Sequence, residues 1–89
     1  MPLSISLFKS KDCPLCGHME PVFKSVADNY KDTISANVVD ITENIQTAVD
    51  NGVMSIPTLI IFKDGAEVAR FTGVVTKEKI EQVIEKNKL

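Results

Sequence analysis

A change of hydrophobic period between residues 4 and 30 constrains the fold of this chain more than any other feature. Ile5 and Leu7 alternate with Ser4 and Ser6, and Phe8 follows, so residues 4–10 read as a strand with one face toward a core. Beyond that point Met19, Val22, Phe23, Val26, Ala27 and Tyr30 recur at steps of three and four and line one stripe of a helix over about residues 14–30. Pro14 occupies the first helical position, where its missing N–H costs nothing, and Cys13 falls near the N-cap. Cys16 lies one turn before Met19 on the apolar stripe, while Pro21 sits inside the helix and is expected to kink it.

The remaining chain continues the alternation of strands and helices. Val38, Val39 and Ile41 mark a short strand over residues 36–41. Residues 43–51 carry Ile45, Ala48 and Val49 at helical spacing and end before Gly52. Residues 58–62 form a dense β-branched and aromatic run. Asp64-Gly65 is a hairpin signal, and residues 67–72 alternate Val68 and Arg70 against Ala69 and Phe71. Thr76 is a suitable N-cap for a last helix with Ile80, Val83 and Ile84 inward and Lys77, Lys79, Glu81, Glu85, Lys86 and Lys88 solvated. The order β-α-β-α-β-β-α predicts an α/β fold with a mixed four-stranded sheet and helices on its faces.

Charge and length exclude several roles. With 89 residues the chain is expected to be a single domain over 1–89, and 44% apolar with 25% charged residues is an ordinary globular balance. A net charge of −2 without a basic stripe names no nucleic acid as partner. The longest aliphatic-aromatic run, residues 59–62, is far below the roughly 20 residues that span a bilayer. Lys9 follows the first apolar residues instead of preceding them, so a secretory signal is not expected and a cytoplasmic address fits best.

The two cysteines carry the chemistry. Cys13-Pro14-Leu15-Cys16 puts one sulfur at a helix N-terminus and the other one turn inside, close enough to bond. Unpaired amide N–H groups and the helix dipole favour thiolate at Cys13, lowering a free pKa of about 8.5 into a range of roughly 3.5–7.5. Lys9 and Lys11 are placed to help and Asp12 to oppose. Cys13 is therefore the attacking sulfur, and Cys16, on the buried stripe, suits a resolving role. Half a zinc site with His18 is an alternative, although four ligands are normally needed and the chain has no further cysteine or histidine. An inert buried pair is another, opposed by the turn-forming Asp12, Pro14 and Gly17. C-type haem attachment is discarded because Gly17 stands where a histidine is required.

The chain resembles the thioredoxin superfamily over nearly its whole length. Besides the cysteine pair, the resemblance rests on Pro21 at the family spacing and on residues 52–65, Gly-Val-Met-Ser-Ile-Pro-Thr-Leu-Ile-Ile-Phe-Lys-Asp-Gly. It resembles the minimal form shared with glutaredoxins, without the extra N-terminal strand and helix of thioredoxins proper. It implies a cis Pro57 facing the cysteines and a backbone at Ile56 that pairs with substrate as an added strand. Pro14, Leu15, Thr72, Gly73 and Val74 become substrate-binding candidates on the same grounds. Two departures bear on mechanism. Asp12 replaces the usual Trp, and Leu7 replaces the buried Asp that serves as proton acceptor, leaving water, His18 or Glu20 to take the Cys16 proton. Glutaredoxins typically carry Tyr where this chain has Leu15, and a second Gly where it has Val74.

These readings converge on a thiol-disulfide oxidoreductase that reduces protein disulfides through Cys13 and Cys16, with no cofactor beyond the redox-active pair. The expected partners are protein disulfides and a reductase or glutathione as electron donor, with no nucleic acid, no membrane and a monomeric state. A glutathione-dependent glutaredoxin-like enzyme and a non-catalytic peptide-binding module are the alternatives.

Overall fold

In the computed structural model, which describes residues 2–88, the elements run β1 (Leu3–Lys9), α1 (Pro14–Asn29), β2 (Ile34–Asp40), α2 (Ile45–Asp50), β3 (Thr58–Lys63), β4 (Ala66–Thr72) and α3 (Lys77–Asn87). The sheet order is β2-β1-β3-β4. β1 and β2 are parallel, as the intervening helix requires, and the pairs β1/β3 and β3/β4 are antiparallel. This is the mixed sheet expected from the sequence. The Asp64-Gly65 hairpin turn has both residues at positive φ, 53° and 84°, the backbone form that matches the twist of its strands. The Asp64 N–H also donates to the Pro2 carbonyl at 2.7 Å, tying the turn to the start of the chain.

Strand alternation divides the core into two unequal layers. Leu3, Ile5 and Leu7 of β1 and Leu59 and Ile61 of β3 point to one side. There they meet Met19, Phe23 and Val26 of α1, Ile80 and Ile84 of α3, and Ile34. On the other side Phe8 and Ile60 meet Ala48 of α2, with Val39, Ile41, Val53, Ile56 and Phe62 around them. Of the expected stripe on α2 only Ala48 is buried. Ile45 and Val49 are about two-thirds exposed, because a six-residue helix on the thinner layer offers a single inward position. Val38 is exposed on the edge strand β2.

Local signals account for the helix boundaries. Thr76 Oγ1 accepts from the Lys79 N–H at 3.3 Å and starts α3 as expected. α1 runs through Pro21 as one continuous element. In α3, Glu81 and Glu85 are not simply solvated. Asn29 donates to Glu81 at 3.0 Å and the Tyr30 hydroxyl donates to Glu85 at 2.5 Å, joining the end of α1 to α3. Lys77 is likewise half-buried.

Register gathers the functional segments at one end of the sheet. Lys9, at the end of β1, lies opposite Asp40, at the end of β2. Phe8 lies opposite Thr58, at the start of β3, and Thr58 lies opposite Thr72, at the end of β4. The segments 10–13, 41–44, 51–57 and 73–76 therefore all emerge from this end.

Candidate active site

Cys13 is the N-cap of α1, in extended backbone at φ −121° and ψ 102°, with Pro14 opening the helix behind it. Its Sγ accepts from the Cys16 N–H at 3.1 Å, and its carbonyl accepts from the Cys16 and Gly17 N–H groups at 3.1 and 3.3 Å. The sulfur thus sits at the positive end of the helix within reach of the Cys16 N–H, an arrangement that favours negative charge at that atom when the pair is reduced. Cys13 and Cys16 are joined as a disulfide, with Cα atoms 5.2 Å apart. The two are unequal in access: Cys13 is partly exposed, whereas Cys16 is only 1% exposed.

The charged neighbours differ from the sequence expectation at one point. Lys9 Nζ lies 2.9 Å from Glu20 Oε1, and that hydrogen bond, with its ion-pair attraction, raises the lysine pKa. Its charge is committed to Glu20 on α1 instead of being free to act on Cys13. His18 is exposed. Leu7, where the family has its buried acid, is fully enclosed by apolar side chains. Among the described residues the only fully buried polar or charged side chain is Thr58, whose hydroxyl donates to the Ser55 carbonyl at 2.7 Å. No buried carboxylate therefore lies beneath the cysteine pair.

Across this end of the molecule, the Ile56–Pro57 peptide bond is cis and Pro57 is buried. The Pro57 carbonyl accepts from the Gly73 N–H at 2.8 Å, with Gly73 at φ 85°, so the turn after β4 is fastened to the proline. Ile56 packs its side chain against the Phe8, Ala48 and Ile60 cluster. Its own peptide N–H and carbonyl make no hydrogen bond to another described residue. Leu15 and Val74 are half exposed, and Thr72 is exposed. Met54 is 97% exposed on the segment leading to Pro57.

Two surface hollows lie elsewhere, one of about 530 Å³ beside Tyr30 and α3, the other of about 340 Å³ beside Lys9, Glu20 and Val38. Neither is lined by a cysteine. No group of three or more histidine, cysteine or acidic side chains suited to a metal ion is present among the described residues. No helix among them is long and apolar enough to cross a membrane.

A disulfide-forming pair at the head of a helix, on a sheet of this topology, defines a thiol-disulfide oxidoreductase. The chain belongs to the thioredoxin family, whose model matches residues 3–86. It is 41% identical to a thioredoxin of Staphylococcus saprophyticus over 75 residues, covering 84% of this chain and 72% of the relative. A thioredoxin of Staphylococcus aureus is 39% identical over the same shares. Among solved structures, a Halobacterium salinarum thioredoxin mutant superposes with a TM-score of 0.90 at 26% identity. A Malassezia sympodialis thioredoxin superposes with 0.87 at 25%. Each match covers 99% of this chain and 76% of the other.

Proposed function

We propose that Cys13 is the attacking sulfur and Cys16 the resolving sulfur of an enzyme that reduces protein disulfides. The Cys13 thiolate attacks one sulfur of the substrate, forming a mixed disulfide and expelling the other substrate sulfur as a thiolate. Cys16, deprotonated, then attacks Cys13 Sγ, releasing the second substrate thiolate and leaving the Cys13–Cys16 disulfide. Two electrons pass from the enzyme dithiol to the substrate, and a reductase returns the pair to the dithiol. The chemistry balances without a bound cofactor. With Leu7 in place of an acid, Glu20 tied to Lys9 and His18 exposed, water takes the Cys16 proton.

The observation that carries this division of labour is the unequal placement of the sulfurs, Cys13 at the cap and accessible, Cys16 buried one turn inside. Ile56 supplies unpaired peptide groups for an extended substrate, with Pro14, Leu15, Pro57, Thr72, Gly73 and Val74 lining the docking surface and exposed Met54 extending it. Residues 1–89 form one domain that acts as a monomer in the cytoplasm, where the thiol pool is kept reduced.

Cys16→Ser is expected to accumulate a mixed disulfide with substrate. Cys13→Ser is expected to lose turnover by about a thousandfold or more in an insulin-reduction assay. Residual turnover in Cys13→Ser near that of the parent chain overturns the assignment. Running the assay with a thioredoxin reductase and with glutathione in turn identifies the donor, and turnover with glutathione alone favours the glutaredoxin-like alternative.

A further inference from the structure

β4 carries an irregularity with a consequence at the docking end. Ile60 lies opposite Arg70 and Ile61 opposite Ala69, but Phe62 lies opposite Glu67, because the register shifts between Ile61 and Phe62. In a regular strand, residues three apart point to opposite faces. The bulge restores Glu67 to the face of Arg70, which is the α2 face occupied by Ile60. There the two side chains form a two-bond ion pair: Arg70 Nε donates to Glu67 Oε2 at 3.0 Å and Nη2 donates to Oε1 at 2.8 Å. The guanidinium held in this way also donates from Nη1 to the Gly52 carbonyl at 3.1 Å and from Nη2 to the Asn51 carbonyl at 2.5 Å.

Those carbonyls belong to the turn that ends α2. Asn51 caps the helix, and Gly52 adopts φ 65°. The Gly52 N–H donates to Val49 at 3.0 Å and the Val53 N–H to Ala48 at 2.9 Å, the paired bonds that close a helix on a left-handed residue. These bonds fix the turn to α2, but α2 itself anchors to the sheet by the small Ala48. Val53 packs against the Phe8 and Ile60 cluster, and Arg70 adds the hydrogen-bonded link from the Asn51 and Gly52 carbonyls to β4, five residues ahead of the cis Ile56–Pro57 bond.

We propose that Arg70, oriented by Glu67 across the β4 bulge, is a positioning residue for substrate docking: it clamps the Asn51 and Gly52 carbonyls and so holds residues 51–57 where the Ile56 backbone can receive a substrate strand. The inference rests on the docking role proposed above for Ile56. Arg70 touches neither sulfur, so it affects encounter with an extended protein substrate and leaves exchange at Cys13 unchanged. A small symmetrical aromatic disulfide needs no strand pairing and bypasses the clamp.

The test uses the full chain with Arg70→Ala and Arg70→Lys, the second keeping the charge without the planar fork. Amide exchange over residues 51–57 is read by mass spectrometry, and KM and kcat are measured with insulin and with the small disulfide. In Arg70→Ala, exchange at 51–57 is expected to quicken by about tenfold, with α1 and α3 unaltered. KM for insulin is expected to rise by about five- to tenfold at a kcat within about twofold, while the small disulfide reacts as before. Arg70→Lys, retaining one donor group, falls between and remains informative if the alanine variant fails to fold. Unchanged exchange at 51–57 overturns the clamp itself. Faster exchange with an unchanged KM overturns the proposal at the docking role of Ile56. An equal loss with both substrates overturns it as a general effect on the enzyme.

Discussion

The two faces of the sheet do different work. On the α1/α3 face, two helices of 16 and 11 residues close over six buried strand side chains, Leu3, Ile5, Leu7, Ile34, Leu59 and Ile61, and Asn29 and Tyr30 stitch the helices together through Glu81 and Glu85. On the other face a single six-residue helix rests on Phe8 and Ile60 through Ala48, leaving Ile45 and Val49 outside. The thick face can hold its elements by area alone. The thin face holds residues 51–57 by a smaller apolar contact, through Val53, Ile56 and buried Pro57, supplemented by directed polar contacts: the bonds closing α2, the Arg70 fork, the Thr58 hydroxyl on Ser55 and the Gly73 N–H on Pro57. Held by side chains and by the peptide groups of its neighbours, Ile56 keeps its place while its own peptide N–H and carbonyl stay unpaired among the described residues.

The largest expected effect tests the thick face. Ile5→Ala removes a fully buried side chain there and is expected to lower global stability by about 2–5 kcal/mol, read by urea unfolding. The remaining folded fraction is expected to turn over insulin at the parent rate, and a large rise in KM would break the separation between the faces. Next in size is Gly52→Ala. A Cβ there meets nothing nearer than Arg70 Nη1 at 4.0 Å, so space is not limiting, but φ of 65° is. The backbone cost is about 1–2 kcal/mol, and the change is expected to appear as faster exchange in 51–57 and weaker docking, with α1 and α3 protected as before.

The smallest effect is a pH dependence of the thick face. The hydrogen bond from Tyr30 to Glu85, together with burial and the nearby carboxylates, raises the tyrosine pKa from 10.0 to about 12. Between those values the folded chain keeps a proton that the unfolded chain has released. The stabilisation is therefore whole below pH 10 and is lost as the pH rises toward 12. Thermal unfolding across this window is expected to show a steeper alkaline fall in the parent chain than in Tyr30→Phe. Parallel curves would show that the latch between α1 and α3 carries no such dependence.

Much of the thick face was legible in the sequence, because long periodic elements with strong punctuation declare themselves. The shift of period at Cys13-Pro14, the Asp64-Gly65 turn and the Thr76 cap each have a local cause, and each lies where that cause puts it. The thin face was less legible. Ile45, Ala48 and Val49 have helical spacing, yet a helix so short buries one of them. Alternation alone separates Glu67 from Arg70, and the register shift that reunites them arises between strands. The Lys9–Glu20 pair depends on how α1 lies beside β1. The cis bond at Pro57 came through family resemblance, since composition does not distinguish it.

The cysteine pair stands at the head of α1 on the end of the sheet from which four connecting segments emerge, with Cys13 partly open to solvent and Cys16 enclosed. A client arriving from solvent meets the outer sulfur before the inner one. If clients dock along Ile56 as proposed, choice among them falls to whether a client can offer a short stretch of uncoiled chain beside its own sulfur bridge, a demand that many folded proteins meet only once they begin to loosen.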